Sequence, residues 1–106
     1  MRRVLLDHCV PRPFCDMLVG CAVSTANKMG WAELKNGELL DAAEAGGFEV
    51  LITSDKNLRH QQDLSSRRIA IVELPTNRLR SLANYAPQVN ALLPSISPGA
   101  YEIVGP

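Results

Sequence analysis

An aspartate closes each of two short apolar runs, Val4-Leu5-Leu6-Asp7 and Val50-Leu51-Ile52-Thr53-Ser54-Asp55, and Glu38 opens the helix-like segment between them. In a parallel sheet the strand ends and the helix starts line one edge, where ligands bind. Three carboxylates on one edge repel each other unless something positive lies between them. A hard divalent cation, Mg²⁺ or Mn²⁺, suits such oxygen ligands. Asp7, Glu38 and Asp55 are therefore the candidate metal ligands and catalytic residues. Each has a plainer role too: the aspartates as helix caps, Glu38 as the first-turn acid that the helix dipole favours.

The neighbours extend the pattern. Thr53, Ser54 and Asn57 flank Asp55 and can hold its carboxylate, or a bound water, by hydrogen bonds. Lys56, Arg59 and Arg78 are the candidate phosphate contacts, with Arg12 beside them. His8 is a possible metal ligand or base, and Asp41, one turn past Glu38, can face the same cleft. Trp31 can stack on a base, or fill a gap beneath its loop.

Alternating elements must position these groups. Residues 3–7 read as a buried strand, and a helix starts at Val10-Pro11-Arg12-Pro13 and ends at Gly20. Residues 21–25 form a second strand, followed by a turn and a loop to Lys35. Asn36 is the expected cap of a helix that Gly46-Gly47 stops. A strand over 48–53 leads to a helix, capped by Ser54 or Asp55, that carries Leu58 and Leu64 and fades at Ser65-Ser66. A strand over 69–74 and a last helix over 78–93, which Pro87 can kink or divide, complete the core of about residues 3–93. Residues 94–106 are a C-terminal tail or an edge strand. The pattern predicts one α/β domain over 1–106, with a parallel sheet, helices on both faces and right-handed crossovers.

Composition narrows the options. The 11 basic and 11 acidic residues cancel, which argues against a standing, high-affinity nucleic-acid binder. Their placement is uneven: acids dominate between Glu33 and Glu49, and bases between Lys56 and Arg80. No apolar run approaches the roughly 20 residues that span a bilayer, so no membrane role is expected. The start Met1-Arg2-Arg3-Val4-Leu5-Leu6-Asp7 puts a charge, Asp7, too early for a signal peptide, and the expected location is cytoplasmic. Cys9, Cys15 and Cys21 are an odd set without a CxxC pair, and read as buried free thiols. No dinucleotide fingerprint, phosphate-binding loop or nucleophile elbow occurs. A phospho-acceptor role for Asp7 or Asp55 lacks the lysine that such domains usually keep after the last strand.

Val4-Leu5-Leu6-Asp7, Asn36-Gly37-Glu38-Leu39-Leu40 and Val50 to Leu58 together resemble a short PIN-like domain family of small prokaryotic proteins. Many of these are thought to be toxins of toxin–antitoxin pairs. The resemblance covers most of the chain, from about residue 3 to the helix after Thr76. It implies a three-layer α/β/α fold around a central, mainly parallel sheet of four or five strands. It also implies a Mg²⁺- or Mn²⁺-dependent ribonuclease with RNA as substrate, Asp7, Glu38 and Asp55 on the metal, and an antitoxin or a second copy as partner. Two departures stand out. Many relatives follow the first aspartate with an acid and an asparagine, where this chain has His8-Cys9. Many also carry a fourth acid soon after the Asp55 position, where this chain offers Asn57, with Asp63 farther on. These departures motivate the alternative, a catalytically inactive PIN-like binding module that keeps the fold without the metal chemistry.

Overall fold

The structure is a computed structural model that describes residues 1–61, 64 and 66–105, apart from the side chain of Gln61. Asp63, and Ser65 where a helix was expected to fade, lie outside the described residues. Five strands, β1 (Arg2–Leu6), β2 (Cys21–Thr25), β3 (Val50–Thr53), β4 (Ala70–Glu73) and β5 (Tyr101–Ile103), form one sheet in the order β2-β1-β3-β4-β5. Every pairing is parallel. The chain is thus α/β with an all-parallel sheet, and residues 101–103 are its edge strand.

Side chains alternate across the sheet, and both faces are covered. Val4, Leu6, Val50, Ile52 and Val72 pack under Phe14, Leu82, Val89 and Leu93. On the other face Leu5, Leu51 and Ile71 meet Leu39, Leu40, Ala43 and Leu58. Strands buried on both sides read as continuous apolar runs, which is why all three central strands were visible in the sequence.

Three local features differ from the expectations. The segment after β1 is a 3-10 helix, Arg12–Met17, in which only Phe14 is buried. It stops where the backbone turns extended at Leu18 (φ −94°, ψ 137°), two residues ahead of Gly20. The cap of α1 (Asn36–Ala45) is Lys35, with no side-chain cap bond, and Asn36 lies inside the helix. The helix over 78–93 is divided, one of the two outcomes expected of Pro87, into α3 (Leu79–Leu82) and α4 (Ala86–Leu92). Pro87 cannot donate to the Ala83 carbonyl and its ring crowds it, so the chain breaks one turn ahead of the proline. The three cysteines are free but half-buried rather than buried, and burial pushes the Cys15 and Cys21 thiols up.

The crossovers do not all share one hand. The β1-to-β2 and β4-to-β5 connections both pass over the Phe14 face, yet they step across the sheet in opposite directions. One of them must oppose the right-handed rule. The short 3-10 helix shares that face with the later helices, Phe14 in one cluster with Leu82, Val89 and Leu93. Helix α4 packs beside it, with Asn90 accepting from the Val19 N–H at 3.0 Å and donating to the Met17 carbonyl at 3.0 Å.

The uneven charge partly neutralises itself. Arg67, from the basic stretch, reaches Asp41 at 2.6 Å and Glu44 at 2.7 Å, both from the acidic one. Burial works against the Glu44 carboxylate, but its bonds from Arg67 and from the Arg68 N–H hold its pKa below the usual value. Asp41 is therefore committed to Arg67 and does not join Glu38 at a cleft. Trp31 stands edge-on to Phe48, 5.9 Å between centroids, so it fills space under its loop.

Candidate functional site

The strand order puts β1 and β3 side by side, with the chain leaving β1 toward β2 and leaving β3 toward β4. This reversal is the switch point, where open α/β sheets bind ligands. Asp7 and Thr53 sit there. The Asp7 N–H continues the ladder to the Ile52 carbonyl at 2.9 Å, which holds the aspartate in line with the strand. Its side chain is buried, as is Thr53.

Thr53 is the hub. Its hydroxyl donates to Asp7 Oδ2 at 2.8 Å and accepts from the Asp55 N–H at 3.0 Å. Asp55 Oδ1 in turn accepts from the Asn57 N–H at 2.9 Å, forming a turn just ahead of α2 (Leu58–Gln61). Cys9 Sγ lies 3.6 Å from the Thr53 hydroxyl and accepts from the Ser54 hydroxyl at 3.1 Å. Asp7 Oδ1 takes two bonds from His8, from the N–H at 2.7 Å and to ring Nδ1 at 2.9 Å. The histidine side chain is about half exposed, 52%, against 6% for Asp7.

Asp7, Thr53, Ser54, Asp55 and Asn57 are thus brought into one hydrogen-bonded group. Glu38 is not part of it. It lies at the start of α1 with its side chain exposed, because Leu39, Leu40 and Ala43 fix which side of the helix faces the sheet. Among the described residues no three of His, Cys, Asp and Glu are grouped as a metal site. Lys56, Arg59 and Arg78 all follow strand ends and are exposed; the Arg78 N–H donates to the Thr76 hydroxyl at 3.2 Å.

Sequence reasoning missed a second polar pair on this edge. Glu73 is opposite Thr53 in register, buried at 4% exposure, and accepts from the Tyr101 hydroxyl at 2.7 Å. The signal for Glu73 was present, since it closes an apolar run as Asp7 does; nothing in the sequence marks Tyr101. Burial pushes the tyrosine's pKa well up, and the bond to Glu73 and its charge push further. A raised tyrosine pKa stabilises the fold fully below the unfolded value of about 10, and that contribution is lost as pH rises through the folded value. Absorbance titration at alkaline pH should show one tyrosine lagging the ordinary range, and Tyr101→Phe should remove the lagging fraction. An unchanged titration in that variant would contradict the assignment.

Two clefts open beside the group on the β2 side. One of about 230 Å³ runs from Asp7 and His8 to Arg12, Thr25 and Asn27. Another of about 310 Å³ continues past Arg12 and Thr25 to Asp16 and Lys28. A further cleft of about 220 Å³ lies at the opposite edge of the sheet, where Arg2 and Glu49, two of its lining residues, pair at 3.3 Å.

No protein-family model matches the chain, and no curated protein and no solved structure matches it. No helix among the described residues is long and apolar enough to cross a membrane.

Proposed function

We propose that the chain is a PIN-like, divalent-metal-dependent ribonuclease whose site centres on Asp7 and Asp55. The observation that carries this reading is the buried Asp7 carboxylate at the switch point, joined to Asp55 through Thr53. Mg²⁺ is commonly held by only one or two carboxylates, with water and substrate phosphate completing its shell. Asp7 Oδ2 carries one hydrogen bond, and Asp55 Oδ2 accepts none among the described residues, so these are the oxygens free to hold it. When bound, the ion would supply an activated water and offset charge on the phosphate. Thr53 orients the Asp7 carboxylate and holds the Asp55 main chain, while the Asn57 N–H holds the Asp55 carboxylate; Lys56, Arg59 and Arg78 lie on the same edge to hold the substrate backbone. Exposed Glu38 serves this reading as an outer acid rather than as an inner ligand. A toxin role, a partner antitoxin and a homodimer belong to the same proposal.

A second reading, a binding module without chemistry, is favoured by one specific observation. Asp7 already accepts three hydrogen bonds, two from His8 and one from Thr53. Incubation of single-stranded RNA with the full chain separates the two. The nuclease reading expects cleavage that needs Mn²⁺ or Mg²⁺, stops with chelator, and falls in Asp7→Asn by more than the roughly 10- to 100-fold that loss of an outer hydrogen bond costs. RNA bound but never cut would favour the module.

A further inference from the structure

We infer that the trough formed by Arg12, Thr25, Asn27 and Lys28 is a binding track for the phosphodiester backbone of single-stranded RNA. This rests on the ribonuclease reading and deepens it, by placing the strand's path on the β2 side of the edge.

Three openings in the surface share these residues. Besides the two clefts already described, one of about 460 Å³ is lined by all four of them. They adjoin one another through Arg12 and Thr25, which line all three, and form a trough of which one opening reaches Asp7. Its two cations come from different elements: Arg12 opens the 3-10 helix, and Lys28 lies in the turn after β2. Among the described residues neither cationic head has a hydrogen-bond or ion-pair partner, whereas Arg2 and Arg67 are both committed to acids. Asp16 is the acid on the trough wall, and Asp7 stands at its end.

The turn is held in shape. The Thr25 hydroxyl accepts from the Lys28 N–H at 3.1 Å, and the Thr25 carbonyl from the Met29 N–H at 3.1 Å. That hydroxyl keeps its own hydrogen to donate, and the Asn27 side chain both donates and accepts. Two unpaired cations separated by neutral polar groups suit a chain of single negative charges, and the neutral groups suit sugar hydroxyls. The near-zero net charge fits a local track rather than a broad basic face.

The test is fluorescence anisotropy of a labelled oligouridylate with the full chain in chelator, so that binding is read without cleavage. Arg12→Ala/Lys28→Ala should weaken binding at least tenfold. It should also make the plot of log K against log salt shallower by about 1.4, at roughly 0.7 per phosphate contact. Arg68→Ala/Arg80→Ala removes the same charge elsewhere and should stay within twofold. Lys28→Glu gives a second variant on an exposed position, and thermal melts confirm that each is folded. Normal binding by both trough variants, with loss in Lys56→Ala/Arg59→Ala, would overturn the track while leaving the RNA reading standing. Absence of binding by the unaltered chain, together with absence of cleavage, would overturn both.

Discussion

Phe14→Ala is expected to destabilise the protein by about 3–5 kcal/mol, the usual cost of emptying a buried phenylalanine site. Phe14 is fully buried and is the one buried side chain of the 3-10 helix. That helix has few bonds of its own, and i→i+3 geometry is weak. It stays on the sheet because Phe14 fills the space over Val4 and Leu6 beside Leu82. A domain of this size has only about 5–15 kcal/mol in total, so the variant should unfold at much lower urea. Phe14→Leu, which keeps most of the volume, should cost about 1.5 kcal/mol or less. A loss below about 1 kcal/mol for the alanine variant would mean that the site collapses freely, against its place in the core.

Thr53→Val should cost roughly 3 kcal/mol, or a fall in Tm of roughly 15 °C, with almost no change in volume. Valine is nearly the same shape, so packing against the sheet is kept. What is lost is the hydroxyl that donates to Asp7 and accepts from Asp55. A buried carboxylate oxygen and a backbone N–H then lose their shared partner at once. Thr53→Ser keeps the hydroxyl and gives up a methyl, for about 1 kcal/mol. The contrast is the diagnostic result: serine should retain any metal-dependent behaviour, while valine loses stability and behaviour together. Equal stability of the valine and serine variants would show that the bonds through Thr53 contribute little.

The frame of the fold was legible because its strands are apolar without interruption. Val4 to Leu6, Val50 to Ile52 and Ile69 to Val72 are short, continuous apolar runs, the pattern of strands buried on both faces. Asp7 and Asp55, which follow the first two runs, were legible for the same reason, whereas Glu73 after the third was missed. What composition could not show was lateral order. Only the pairings of β1 with β3 and of β3 with β4 put Asp7, Thr53 and Glu73 in one row. Glu38 shows the converse: it lies beside the right edge in sequence order, but the buried face set by Leu39 and Leu40 leaves it exposed. The three-residue β5 was legible only as a possibility, since Tyr101–Ile103 is too short to carry a pattern.

The most direct measurement is calorimetric titration of Mn²⁺ into the full chain and into Asp7→Asn and Asp55→Asn. The expected result is a saturable site in the unaltered chain that both substitutions abolish, with folded melts retained. Absence of binding to the unaltered chain, or binding that survives Asp7→Asn unchanged, would contradict a metal centre on these two aspartates.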